Sequence, residues 1–153
     1  MAQRSKKDHI AQSALPLFLQ NGFKGTSVDM VVKQSAVSKP TVYNHFPDKS
    51  ALILAVIDEW LKTSKPSLPT QLNENSLTDL IENRWLSNEA VGLYAMVIGE
   101  GRRFTEARAQ FWEQYDQRWR QAIHYAASAS MTISTADMDC RLDRSLLNRL
   151  KRL

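Results

Sequence analysis

Between Thr26 and Phe46 the sequence writes two short helices separated only by a tight turn, a pairing that few folds accommodate. The first runs from a Thr26 or Ser27 cap through Asp29 in the opening turn, with Val28, Val31 and Val32 at i, i+3 and i+4 on one face. Ala36-Val37 turns the chain into Ser38, which caps the second. Lys39 and Pro40 fill its first turn, where a backbone N–H has no intrahelical partner to lose. Val42 and Phe46 then form a narrow apolar foot, while Lys39, Thr41, Tyr43, Asn44 and His45 spread over the remaining surface. A short polar helix by itself reads first as a solvated one. Preceded by a bracing helix and a tight turn, it reads as the groove-entering half of a helix-turn-helix, whose polar groups suit phosphates and base edges.

Gly22-Phe23, Thr26-Ser27-Val28, the turn Ala36-Val37-Ser38, Thr41-Val42-Tyr43, His45-Phe46 and Lys49 together resemble the DNA-binding domain of the TetR family of bacterial transcriptional regulators. The resemblance covers about residues 4–64. It implies double-stranded DNA as partner, with Ser27, Ser38, Lys39, Pro40, Thr41, Tyr43, Asn44, His45 and Lys49 at the interface and the motif spanning Ser27 to Phe46. The residue matching Lys49 often contacts phosphate in that family.

Charge agrees with this reading but does not carry it. The 153-residue chain has a formal net charge of +4. Its basic excess sits at the two ends, and the first 64 residues hold eight Lys/Arg against five Asp/Glu, a modest source of salt-dependent, sequence-independent attraction to phosphate. No apolar run reaches the ~18 residues that a membrane span needs. The basic start around Arg4, Lys6 and Lys7 has no apolar stretch behind it, which argues against a secretory signal. The single cysteine, Cys140, cannot pair within the chain and fits a reducing compartment, so a cytoplasmic location is expected. That thiol reads as incidental or as a redox sensor.

Residues 1–8 read as a mobile basic arm. Ile10, Ala14, Leu17 and Phe18 follow as an amphipathic helix, bent at Pro16 and stopped by Gly22, with Phe23 as a core plug. Pro47-Asp48 opens a fourth helix carrying Leu52, Ala55, Val56 and Trp60. Trp60 reads as packing at a head–body junction or as a ligand-linked hinge. Ser64 to Ser76, rich in Pro, Ser and Asn, reads as a linker.

Beyond it, Ser76 with Asp79 suggests a capping box, opening a helix with Leu77, Leu80, Ile81 and Trp85 inward. Ser87 caps the next, whose Val91, Tyr94, Ala95, Val97 and Ile98 make it apolar all round, and Gly99-Glu100-Gly101 ends it. The longest helical pattern runs from Thr105 to about Ala127 and carries Phe104, Phe111, Trp112, Tyr115, Trp119 and Ile123 at helical spacing. This stripe reads as core or as the wall of a ligand space. Such a stripe is more often core, and the resemblance implies that a space lined by Trp85, Tyr94, Phe111, Trp112, Tyr115 and Trp119 could also hold a small apolar or aromatic inducer; both readings place the same residues inside. From Ser128 to Cys140 periodicity is weak, and Arg141 to Leu153 ends as a helix of about a dozen residues with leucines at 142, 146, 147, 150 and 153.

The expected fold is therefore all-α: a three-helix helix-turn-helix head at 4–64 joined to a shortened helical-bundle regulatory and dimerisation body at 76–153. The expected function is a DNA-binding, ligand-responsive repressor. The alternative is a truncated interaction or dominant-negative relative, because family members usually continue well past the point matching Ala127 and pair through those last helices. The resemblance implies a homodimer, while the short C-terminal part implies weak dimerisation or none. An enzyme is disfavoured: His9, His45 and His124 are far apart, no metal-ligand spacing or phosphate loop occurs, and no cofactor is expected.

Overall fold

The computed structural model describes residues 5–100 and 102–153, which are helical and contain no strand. They divide into two compact units, Met1–Ser64 with Met96–Phe111 and Lys65–Ala95 with Trp112–Leu153. Among the described residues no helix is long and apolar enough to cross a membrane.

In the first unit, α1 (Lys6–Gly25) begins where Ser5 Oγ accepts from the Asp8 amide at 3.1 Å. Helix therefore takes over the last three residues of the expected arm, Lys6 to Asp8; residues 1–4, with Arg4, lie outside the described residues. Ile10, Ala14 and Phe18 recur every four residues and are fully buried, with Ala11 beside them. Pro16 sits on the exposed side and the helix continues through it. The break comes at Gly22, whose φ of 71° is open to glycine at little cost. This geometry turns Phe23 inward onto Phe18 and Phe104, with ring centroids 6.2 and 4.8 Å away. Helices α2 (Val28–Ser35) and α3 (Lys39–His45) follow, and then α4 (Lys49–Leu61), capped by Asp48 Oδ1 on the Ala51 amide at 2.8 Å. Leu52, Ile53, Val56, Ile57 and Trp60 bury its inner face, and Trp60 stacks on Phe111 at 6.1 Å.

In the second unit, α5 (Glu74–Asp79) starts earlier than the sequence suggests. Asn73 is the cap, and Ser76 is the far side of the box, its amide donating to Asn73 Oδ1 at 2.9 Å while its hydroxyl accepts from the Asn73 amide at 2.8 Å. The chain then widens into a π turn, Leu80–Trp85, closed by the Leu86 amide on the Ile81 carbonyl at 2.9 Å. Ser87 caps α6 (Asn88–Glu100) as expected, through the Ala90 amide at 3.3 Å. Ile98, expected inside, is 54% exposed.

The long helical pattern proves to be three pieces: α7 (Thr105–Phe111), a second π turn (Trp112–Asp116) and α8 (Gln117–Ser130). The largest correction concerns the C-terminal part. Helix α9 (Thr135–Leu150) begins six residues before Arg141, where Ser134 Oγ accepts from the Asp137 amide at 3.1 Å. Met138, Leu142 and Leu146, one per turn, are buried within this unit, whereas Leu147 is 56% exposed.

Candidate nucleic-acid interface

Ser27, not Thr26, caps α2: its hydroxyl accepts from the Met30 amide at 3.2 Å. Thr26 is fully buried, its hydroxyl lying 3.0 Å from the Leu17 carbonyl and 2.8 Å from that of Gly22. Helix α2 ends on Ala36 in the left-handed conformation, φ 55° and ψ 27°. That one residue reverses the chain tightly enough for α3 to follow after Val37 and Ser38. Ser38 has the extended backbone of a cap but makes no side-chain cap bond; its hydroxyl pairs with the Thr41 hydroxyl at 2.8 Å.

The division of α3 into foot and surface follows the sequence pattern. Val42 is fully buried and Phe46 is 3% exposed. Lys39, Pro40, Tyr43, Asn44 and His45 are exposed, and Thr41 is half-buried. An aromatic hydroxyl, an amide and an imidazole on one short helix, all turned to solvent, can donate and accept at phosphates or base edges. On the neighbouring helix the exposed Ser27 adds a hydroxyl.

Two features were missed by sequence reasoning. Asp29, read only as a favourable charge in the first turn of α2, forms an ion pair with Lys39 at 2.8 Å, both side chains being largely exposed. The Asp29 hydrogen bond and charge raise the Lys39 pKa above its ordinary value. Ten residues separate the pair, so no helical spacing relates them. His9, for its part, places Nε2 2.9 Å from the carbonyl of buried Ser35, tying α1 to the end of α2.

Lys49, expected at the interface, is turned toward the end of α1. It is half-buried, and its ammonium donates to the carbonyls of Phe23 at 2.6 Å and Thr26 at 3.0 Å while lying 4.5 Å from the centre of the Phe23 ring.

The six aromatic residues expected at a ligand space are shared between the two units. Phe111 belongs to the first unit, against Trp60. Trp85, Tyr94, Trp112, Tyr115 and Trp119 belong to the second, where Tyr94 lies edge-on to Trp85, Trp112 and Tyr115 at 6.3, 5.6 and 6.1 Å. Hydrogen bonds tie three of them, Trp85, Tyr94 and Tyr115, into the interior. Trp85 Nε1 donates to the Tyr94 hydroxyl at 2.9 Å, which donates to Asp116 Oδ1 at 2.6 Å, and Arg120 Nε donates to Asp116 Oδ2 at 3.0 Å. Tyr115 donates to the Trp85 carbonyl at 2.5 Å, at the end of the first π turn. Burial, reinforced by Asp116, pushes the Tyr94 phenol far above the usual range, and burial likewise raises Tyr115. For Arg120 burial opposes the charge, but the Asp116 and Asp143 carboxylates together outweigh it and the pKa rises. Among the described residues no group of three or more His, Cys, Asp and Glu side chains could hold a metal ion.

Residues 10–56 match the family of bacterial regulatory proteins designated tetR. The HTH-type transcriptional regulator EthR of Mycobacterium tuberculosis is 32% identical over 110 residues, which are 67% of this chain and 49% of that protein. The HTH-type transcriptional repressor DhaR of a Mycobacterium species is 25% identical over 101 residues, 66% of this chain and 50% of its own. The chain thus spans about half the length of these curated relatives. A solved chain from Mesorhizobium loti, assigned to the TetR family, superposes with a TM-score of 0.59 at 19% identity over 95% of each chain, a likeness of fold.

Proposed function

We propose, from the premise that this chain belongs to the TetR family of bacterial transcriptional regulators, that it binds double-stranded DNA through α3 and regulates transcription there as a ligand-responsive repressor. The observation that carries this reading is the face division of α3. Val42 and Phe46 are spent in the core, which leaves Lys39, Tyr43, Asn44 and His45 with no burial to supply and their polar groups turned outward. Helix α2 braces α3 across the Ala36 turn and adds Ser27 at its start, where a helix N-terminus favours phosphate. In this reading Tyr43, Thr41 and His45 address base edges, and Ser27, Ser38, Lys39 and Asn44 the backbone; Pro40 fixes the first turn that presents them.

Repression is supported by the resemblance and by the name of DhaR. An aromatic or apolar inducer is supported by the ring-lined interior of the second unit, where Trp85, Tyr94, Trp112, Tyr115 and Trp119 surround one buried polar chain. A cytoplasmic location accords with the DNA partner.

Selection from a random duplex pool tests the proposal. The chain should enrich one sequence class, and its affinity should fall linearly with the logarithm of salt concentration. Failure to enrich any sequence, with no salt-dependent binding, would overturn the reading.

A further inference from the structure

The resemblance assigns the position of Lys49 to a phosphate contact. Its surroundings describe a different task. Helix α1 ends at Gly25 with Thr26 as its C-cap, and the last carbonyls of a helix have no amide partner within it. Two carbonyls at this end, those of Phe23 and Thr26, are taken by the Lys49 ammonium at 2.6 and 3.0 Å, although Lys49 belongs to another helix and lies more than twenty residues along the chain. The ammonium also sits on the Phe23 ring, 4.5 Å from its centre. A cation at a helix C-terminus is favoured by the carbonyl dipoles, and the ring face adds to that attraction.

The corner that Lys49 grips is constrained from its other side as well. Gly22 makes the turn at φ 71°, and the buried Thr26 hydroxyl lies within hydrogen-bond distance of the Leu17 and Gly22 carbonyls. The next residue is Ser27, which caps α2. Whatever holds Thr26 therefore holds the first turn of α2, and through α2 the α3 that follows.

Resting on the DNA-binding reading above, we infer that Lys49 is a positioning residue: it clasps the corner between α1 and α2 and sets the Ser27 end of the interface, without acting as a phosphate ligand. Two of its three N–H donors are committed inside the protein before any DNA arrives.

The two roles separate in a salt titration. Lys49→Met, Lys49→Arg and Thr26→Val are compared with the unsubstituted chain on a duplex recovered from the random pool, with amide exchange of residues 22–30 followed in the free proteins. A phosphate ligand lost to methionine lowers the slope of log affinity against log salt by about 0.9 and is largely restored by arginine. A clasp predicts otherwise. Lys49→Met weakens binding by a similar factor at every salt concentration, giving parallel lines; Lys49→Arg, too wide and flat to sit between two carbonyls, does not restore it. Thr26→Val, which changes no charge, has the same effect. In the free proteins exchange quickens at residues 26–30 while the amides around Ile53 and Val56 keep their protection.

A slope lowered by about one, with exchange at the corner unchanged, would overturn the inference. So would full affinity in Lys49→Arg. Should Lys49→Met fail to fold, Lys49→Arg and Thr26→Val decide between the same outcomes. If the unsubstituted chain enriches no duplex, the regulator reading falls and takes the interface role with it, while unaltered exchange in the variants would separately dismiss the clasp.

Discussion

Tyr43 in α3 and Phe46, the residue that caps its end, meet opposite environments: Tyr43 is 43% exposed and Phe46 is 3% exposed. Truncating each to alanine should therefore fail in different assays. Tyr43→Ala is expected to leave the melting temperature nearly unchanged while weakening binding to a selected duplex by ~1–3 kcal/mol, the range for loss of a base contact. Phe46→Ala is expected to cost ~3–5 kcal/mol of stability because it empties a packed site. A Tyr43→Ala chain that unfolds would place Tyr43 in the core and undo the face assignment. Ala36 carries a different kind of information. It is exposed and sits at φ 55°, where an L side chain pays ~1–2 kcal/mol and glycine does not. Glycine would add unfolded-state entropy and so return part of that gain. Ala36→Gly should thus raise stability by up to ~1 kcal/mol, read as a higher denaturation midpoint; a lower one would show that the turn is not strained.

At the level of elements, α2 and α3 share the exposed Asp29–Lys39 pair, which is expected to do little for stability because solvent screens the charges and two long side chains must be held in one geometry. Its consequence is electrostatic. Asp29→Asn should free Lys39 for phosphate and remove an anion beside it, so affinity at low salt should rise with the melting temperature almost unchanged. Weaker binding would mean that Asp29 holds Lys39 in its productive rotamer. The two π turns supply a second test. Tyr94 is bonded to Asp116, which lies in the second π turn, and Tyr115 to the carbonyl of Trp85, the last residue of the first. Both phenols have pKa values raised above the usual figure of about 10, chiefly by burial. A raised value means the neutral form is the stabilised one. This contribution is complete below about pH 10 and declines as the pH climbs beyond it toward the folded-state values. Absorbance titration should therefore find two of the four tyrosines ionising only together with unfolding. Ionisation of all four in the folded chain would contradict the buried relay.

These elements also show what a sequence conveys. The helix-turn-helix was legible because its signals are local: a Ser cap, proline in a first turn, and Val42 with Phe46 one turn apart. Gly22 likewise announced its own break. What stayed hidden depends on distance. Asp29 meets Lys39, Lys49 meets Phe23 and Thr26, and Asp116 meets Tyr94 through folding, not through spacing. The start of α9 was misplaced for a related reason, since Ser134 is an unmarked cap among many serines and threonines, and Met138 is the only large apolar residue in its first two turns.

For the molecule as a whole the open quantity is self-association, because two recognition helices about one DNA turn apart, ~34 Å, require two copies. We predict weak pairing at most, on the following ground. The apolar face of α9 that could zip two chains together is already spent: Met138, Leu142 and Leu146 lie inside the second unit. Polar ties hold the helix there, from Arg120 to Asp143 and Glu74 to Arg141 at 2.8 Å each, and from Arg149 to Asn88 at 2.9 Å. What α8 and α9 leave exposed is sparse, Tyr125 at 75% and Leu147 at 56%, against the ~800 Å² per partner that stable interfaces bury. Sedimentation velocity at micromolar concentration should find predominantly monomer, with selected DNA recruiting the second copy. Leu147→Glu should then leave the free chain's sedimentation unchanged, and Leu142→Glu should unfold it instead of merely separating copies. A stable dimer that Leu147→Glu dissolves while the melting temperature of its monomer holds would show that the α8–α9 surface pairs after all, and that dimerisation precedes DNA.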